Sequence, residues 1–394
     1  MDVRHHNENL PTAIQSVMST IAPTSPRFAT EFVSALLQSA RKLGASDVHL
    51  NPALDAFEAR WRLDGVLQPL VQISKDVGPN IIARLKVLSG LLTYDMSSPQ
   101  EGRIRDYSLN VEVRVSTFPT LYGERAVLRL LGASTDSLGS LTQLGLPSAV
   151  LEELDRHLAA TSGAVLIVGP AGSGKTTTAY ACLRHIVKLS NGGRSIASLE
   201  DPIEVAVPEV AQSEVNLPIG FDMPSGLRGL LRLDPEVILI GEMRDRATAE
   251  VAMQAALTGQ LVVTTFHAGN CDDAVNRLVE LGVPDYAVRN AVRLIIAQRL
   301  VRRLCSCAQA ADIDQFARPF GMDIEKCWIA RGCEQCQFTG YHGRSLIAEW
   351  RATRHKPAAP VGDEPLWTMA AQLVEAGTTS SQEVFRVLGL RRAS

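Results

Sequence analysis

The sequence predicts an α/β fold, a parallel sheet covered by helices on both faces, preceded by a smaller α+β domain. Two features predict it. Four nearly continuous apolar runs, at 164–168, 195–199, 237–241 and 261–265, alternate with helix-compatible stretches, as strands buried on both faces do. Upstream of residue 132 the runs are shorter and alternate apolar with polar residues. A chain of 394 residues has room for two or three such domains, each with its own core.

Taken in order, residues 1–27 are polar and read as a flexible lead. Over 28–44 the positions Phe32, Val33, Leu36, Leu37 and Leu43 recur at helical spacing. Alternating runs at 47–50 and 56–62 follow, with a turn at Asp64 and Gly65. A helical stretch at 81–91 and strands at 109–118 and 125–131 complete the α+β domain, 28–132. Small polar residues then suit a linker, 133–146. The remainder, 147–394, holds helices at 150–160 and 175–188 among the apolar strands. It ends in a cysteine-containing subdomain, 305–343, and a helical segment, 344–394.

Composition narrows the classes of function. Apolar content of 46% with 21% charged residues is ordinary for a globular protein. A net charge of −3 gives no electrostatic reason to expect nucleic acid as the main partner. No run approaches the roughly 18 apolar residues that span a bilayer. Residues 1–25 lack the apolar segment of a secretory signal, so the expectation is a soluble, cytoplasmic protein. Five of seven cysteines (Cys305, Cys307, Cys327, Cys333 and Cys336) crowd one window, which favours metal binding over disulfides.

The chemistry is concentrated after the run 164–168. Gly169, Pro170, Ala171, Gly172, Ser173, Gly174, Lys175 and Thr176 have the spacing of a phosphate loop between strand and helix, and Thr177 follows. Glycines let the main chain curl around phosphate oxygens with its N–H groups inward. Lys175 can reach the β- and γ-phosphates, and the Thr176 hydroxyl can ligate Mg²⁺. The positive end of the following helix points at the same anion. These residues predict binding of a nucleoside triphosphate.

Ligands in parallel-sheet folds sit at the carboxyl ends of strands, so the residues that end each apolar run are informative. The run at 195–199 ends in Glu200, Asp201, Pro202, Ile203 and Glu204; that at 237–241 in Glu242, Met243, Arg244 and Asp245; that at 261–265 in Phe266 and His267. A single acidic residue at such a place is more often a turn or cap. Three strands delivering ionisable groups beside a phosphate loop point to nucleotide hydrolysis. Glu242 suits Mg²⁺ or its waters, either Glu200 or Glu204 suits the base that orients water, and His267 suits a contact to the γ-phosphate.

In these residues the chain resembles the secretion ATPases of type II secretion and type IV pilus assembly. The resemblance covers about 40–350. It includes the phosphate loop, the acidic box Ser198 to Glu204, the box Leu231 to Asp245 and the histidine box Thr264 to Asn270. It extends to Gly44 to Leu50, Arg60 to Gly65, Pro99 to Arg103 and Arg114 to Thr120. Three positions depart from the family pattern: Ala268 and Gly269 stand where relatives carry a polar Thr-Asn pair, and Leu233 stands where Gln is usual.

The resemblance implies a homohexameric ring of RecA-like ATPase domains using ATP and Mg²⁺, each preceded by a PAS-like domain. It implies arginine fingers, for which Arg103 and Arg114 are the candidates. It implies peripheral attachment at the cytoplasmic face of the inner membrane, where a platform protein and other machinery components assemble pilin-like subunits. It also implies a short form without the large amino-terminal docking domain, and a structural zinc site. Cys333 and Cys336 form one C-x-x-C half of that site. Cys305 and Cys307 are spaced C-x-C, leaving Cys327 as an alternative ligand. The rival function is a nucleotide-binding regulatory or scaffold subunit with negligible turnover.

Overall fold

The computed structural model describes residues 10–106, 111–131, 139–352 and 365–390. The chain divides into two compact units, Met1–Asp136 and Ser137–Ser394. No helix among the described residues is long and apolar enough to cross a membrane.

The first unit contains α1 (Thr12–Thr20), α2 (Phe28–Lys42), β1 (Asp47–Pro52), β2 (Ala56–Leu63), β3 (Val66–Ser74), α3 (Gly78–Ser89), β4 (Gln100–Asp106), β5 (Val111–Thr120) and β6 (Gly123–Leu131). Its six strands form an antiparallel sheet in the order β3-β2-β1-β6-β5-β4. Strand alternation sends Val48 and Leu50, Phe57, Ala59 and Trp61, and Val113 and Val115 into one core. Phe32, Val33, Leu36 and Leu37 of α2 close that core, as their helical spacing predicted. At the β2–β3 turn both Asp64 and Gly65 have positive φ, the backbone a tight two-residue hairpin requires.

Three expectations change here. The lead contains the helix α1, because Ile14, Val17, Met18 and Ile21 form a short apolar stripe on that core within an otherwise polar stretch. Strands β3 and β4 were missed, because Pro69 and two glutamines break the apolar run of β3, and β4 has a single apolar residue, Ile104. Within the linker window, residues 133–138 lie outside the described residues. Leu141, Leu144 and Leu146 are buried in a core of the second unit, so the end of that window belongs to a folded domain. Positions 109 and 110 of the expected strand at 109–118 also lie outside the described residues.

The second unit begins with α4 (Ser148–Leu158), β7 (Gly163–Val168), α5 (Lys175–Ser190), β8 (Ile196–Glu200), β9 (Ala211–Glu214), α6 (Met223–Leu230), β10 (Val237–Ile240), α7 (Arg246–Thr258) and β11 (Leu261–Phe266). It continues through α8 (Cys271–Glu280), α9 (Asp285–Ala291), β12 (Val292–Leu304), β13 (Gln309–Ala311), α10 (Ile313–Phe316), β14 (Cys327–Ile329), β15 (Tyr341–Ala352), α11 (Pro365–Glu375) and α12 (Ser381–Leu388). Seven strands line up as β15-β12-β7-β11-β10-β8-β9. All neighbours are parallel except β15, which runs antiparallel to β12 at one edge.

Every residue of β7, β8, β10 and β11 is buried. Along β7, Ala164, Leu166 and Val168 enter a core with α6, α7, α8 and α9, while Val165 and Ile167 enter the opposite core with α4 and α5. This two-sided burial is why the strands read as continuous apolar runs. The segment expected to be helical from 344 begins instead as β15, whose Leu346 and Ala348 face one core and Ile347 another. Helices α11 and α12 follow it.

Candidate active site

The phosphate loop leaves β7 after Val168 and enters α5 at Lys175. Gly169, Gly172 and Gly174 all take positive φ. Space is also short at the end glycines, decisively so at Gly169. A Cβ on Gly169 would lie 2.5 Å from Ser173 Oγ, and one on Gly174 would lie 3.2 Å from Gln298 Nε2. The Lys175 ammonium folds back over the loop and donates to the carbonyls of Gly169 and Pro170, both at 3.0 Å. Burial pushes its pKa down, with the charge of Glu242 opposing the shift. A loop curled this tightly at the start of a 16-residue helix fits a triphosphate. Thr176 and Thr177 stand part-exposed at its rim.

Glu242 follows Gly241 at the end of β10. The ends of β10 and β11 are tied by Thr265 Oγ1 donating to the Gly241 carbonyl at 2.6 Å and by Met243 N–H donating to the Thr265 carbonyl at 3.1 Å. That registration sets Glu242 Oε1 2.6 Å from His267 Nε2, while Arg244 Nε donates to Oε2 at 2.6 Å. Arg244 also reaches Asp201 at 3.6 Å. Lys175, Glu242 and His267 thus belong to one constellation, and the Thr176 hydroxyl with the Glu242 carboxylate is a donor set suited to Mg²⁺.

The two candidate bases differ. Glu200 is 3% exposed at the end of β8. It accepts hydrogen bonds from Tyr180 and Ser198, and from Gln212 Nε2 at 3.0 Å. Tyr180 is raised well above its ordinary pKa by burial and by that carboxylate, so its proton stays put. Its hydroxyl also accepts the Glu204 N–H at 3.1 Å, fixing the start of the loop that carries Glu204, whose side chain is exposed.

Arg103 and Arg114 lie in the first unit, directly opposite one another on β4 and β5. Arg103 pairs with Glu112 at 3.1 Å and Arg114 with Glu101, and both arginines are about two-fifths exposed.

The cysteine alternatives resolve. The sulfurs of Cys305, Cys307, Cys333 and Cys336 all lie within 4.8 Å of one another. Three of the separations are 3.8, 3.9 and 3.8 Å. Zinc–sulfur bonds of about 2.3 Å in a tetrahedron require sulfur–sulfur edges of about 3.8 Å. Backbone N–H groups of Gly332 and Gly340 donate to Cys307 and Cys336 sulfurs at 3.3 and 3.2 Å, which favours thiolates. Cys327 is elsewhere, buried in the carboxy-terminal core with its sulfur on the Ala311 carbonyl.

Sequence reasoning missed Tyr180, Ser198, Gln212, Arg244 and Gln298. Ser198 and Arg244 lay within boxes already singled out. Gln298 ends an apolar run, 294–297, and the strand-end test that found Glu242 would have found it there.

Fold and site together define a P-loop ATPase built on a RecA-like parallel sheet. The family described as "Type II/IV secretion system protein" matches residues 24–386, and the chain belongs to that family. It is 38% identical over 376 residues to the type II secretion system protein E of Klebsiella pneumoniae, covering 90% of this chain and 75% of that protein. It is 36% identical over 330 residues to the type IV pilus assembly ATPase PilB of Thermus thermophilus, covering 82% of this chain and 37% of the relative. The fold resembles the crystal structure of the Yersinia pseudotuberculosis ATPase DotB, with a TM-score of 0.61, 19% identity and coverage of 91% and 93%.

Proposed function

We propose that the chain is the ATP-hydrolysing motor subunit of a type II secretion or type IV pilus assembly machine. It works as a homohexamer at the cytoplasmic face of the inner membrane, against a platform protein. The observation that carries this is the constellation of Lys175, Glu242 and His267 at the carboxyl edge of the parallel sheet. Thr176 and Glu242 would hold Mg²⁺, which would supply charge neutralisation at the phosphates. Lys175 exchanges its two carbonyl contacts for phosphate oxygens. Glu204 orients and deprotonates the attacking water. Glu200 is less suited to that step, because it is buried and three protein donors already hold its carboxylate away from solvent. His267, bonded to Glu242, reports the γ-phosphate to the β11 end.

The six-stranded antiparallel sheet backed by helices supports a PAS-like reading of the first unit, and Arg103 and Arg114 are its candidate fingers. The four-cysteine cluster holds structural zinc. Metal analysis checks this: about one zinc per chain is expected, and none in Cys333→Ser.

Turnover with Lys175→Ala and Glu204→Gln tests the motor. Glu204→Gln is expected to lose at least about 10²-fold in kcat while nucleotide affinity persists. If the unsubstituted chain and Lys175→Ala hydrolyse ATP equally slowly while the former binds it, the protein is a nucleotide-gated scaffold instead.

A further inference from the structure

β12 carries a polar side chain in its most apolar part. Gln298 is fully buried and follows Leu294, Ile295, Ile296 and Ala297. Ala297 is the partner of Val168, the last residue of β7, so Gln298 lies beside the first residue of the phosphate loop. Its Nε2 donates to the Ser173 carbonyl at 2.8 Å. The amide orientation is fixed by that contact, since the reverse would set Oε1 against a carbonyl oxygen. Oε1 has no hydrogen-bond partner among the described residues.

Gln298 meets both ends of the loop. A Cβ on Gly169 would lie 2.6 Å from the Gln298 carbonyl oxygen, and one on Gly174 3.2 Å from its Nε2. The first and last glycines of the phosphate-loop motif are therefore shaped against this one residue. Its bond to Ser173 has a directional consequence. The Ser173 carbonyl and the Gly174 N–H belong to one trans peptide and point in opposite directions. A carbonyl held toward β12 turns the N–H the other way, where a loop of inward N–H groups receives an anion.

We infer that Gln298 is a positioning residue for nucleotide binding, holding the Ser173–Gly174 peptide so that the Gly174 N–H faces the phosphates. It acts through the loop and does not touch the nucleotide. The inference rests on the nucleotide-site reading above. It differs from the roles of Lys175 and Thr176, which contact phosphate or metal directly.

The test uses the full chain, with Gln298→Met to keep length and volume while removing the donor. Gln298→Asn keeps an amide on a shorter stem. ADP and ATP affinity are measured with a fluorescent analogue, beside the nucleotide-free Tm and steady-state kinetics. Expected for Gln298→Met are a Tm close to the unsubstituted chain, nucleotide binding weakened about tenfold, and a raised KM with kcat little changed. Gln298→Asn is expected to fall between. Affinity within about twofold of the unsubstituted chain in Gln298→Met overturns the role. If that variant does not fold, the same outcome in Gln298→Asn overturns it. Failure of the unsubstituted chain to bind nucleotide would instead overturn the site reading on which the role rests.

Discussion

Lys86 is 1% exposed, and its Nζ lies 2.7 Å from the Glu124 carboxylate and 2.6 Å from the Asp95 carbonyl. Glu124 is nearly as buried, so neither charge has water to fall back on. Lys86→Met therefore strands a carboxylate and is expected to cost about 3–5 kcal/mol in denaturant unfolding. Lys86→Met combined with Glu124→Leu is expected to recover much of that loss, since both charges then leave together. Glu200 makes a related prediction. Its carboxylate only accepts, and three donors face it, so Glu200→Gln turns an amide N–H₂ against them and costs about 1–3 kcal/mol by the same measurement. At this scale the sequence showed which residues carry charge at the strand ends. It hid the different surroundings of Glu200 and Glu204, because those depend on Tyr180 and Gln212 arriving from other elements.

Elements were legible where burial made them uniform and obscure where it did not. β7, β10 and β11 are covered on both faces and stood out as apolar runs, whereas the edge strand β9 has the sequence Ala-Gln-Ser-Glu and no apolar signature. β12 went unread as a strand because Gln298 and four arginines interrupt the apolar pattern, and the partners of Gln298, Arg299 and Arg302 are supplied only by folding. Arg302 is one of these. It bonds Glu383 at the start of α12 with its backbone N–H at 2.9 Å and its guanidinium at 2.8 and 3.0 Å, and it lies 3.9 Å from the Tyr341 ring. Burial alone would raise the Glu383 carboxyl, but the hydrogen bonds of Arg386 and Arg302 outweigh it and hold the pKa below the ordinary 4.5. A depressed folded pKa adds stability that is complete above 4.5 and is lost as pH falls through the folded value. The unfolding free energy of the unsubstituted protein is accordingly expected to decline more steeply between pH 5 and pH 3 than that of Glu383→Gln. Denaturant titrations across about that range check it.

For the whole molecule, the sequence distinguished an amino-terminal α+β region from a parallel-sheet region. It could not supply the relation that matters for arginine fingers, because that relation lies between units or between copies of the chain. Arg103 and Arg114 each pair with a glutamate of their own sheet, Glu112 and Glu101. Pairs this exposed contribute only about 0–1 kcal/mol, so exchanging a glutamate for a γ-phosphate costs little. Arg103→Ala and Arg114→Ala are expected to lower kcat by about 10³- to 10⁵-fold with small changes in Tm. Their phosphate loops remain intact, whereas Lys175→Ala keeps its arginines and loses its own loop lysine. Mixing Arg114→Ala with Lys175→Ala therefore pairs one subunit's working loop with another's working arginine. If the fingers act between copies, two nearly inactive proteins recover measurable phosphate release on mixing, with a maximum near equal proportions. If each arginine serves only its own chain, the mixture releases phosphate no faster than the average of its parts.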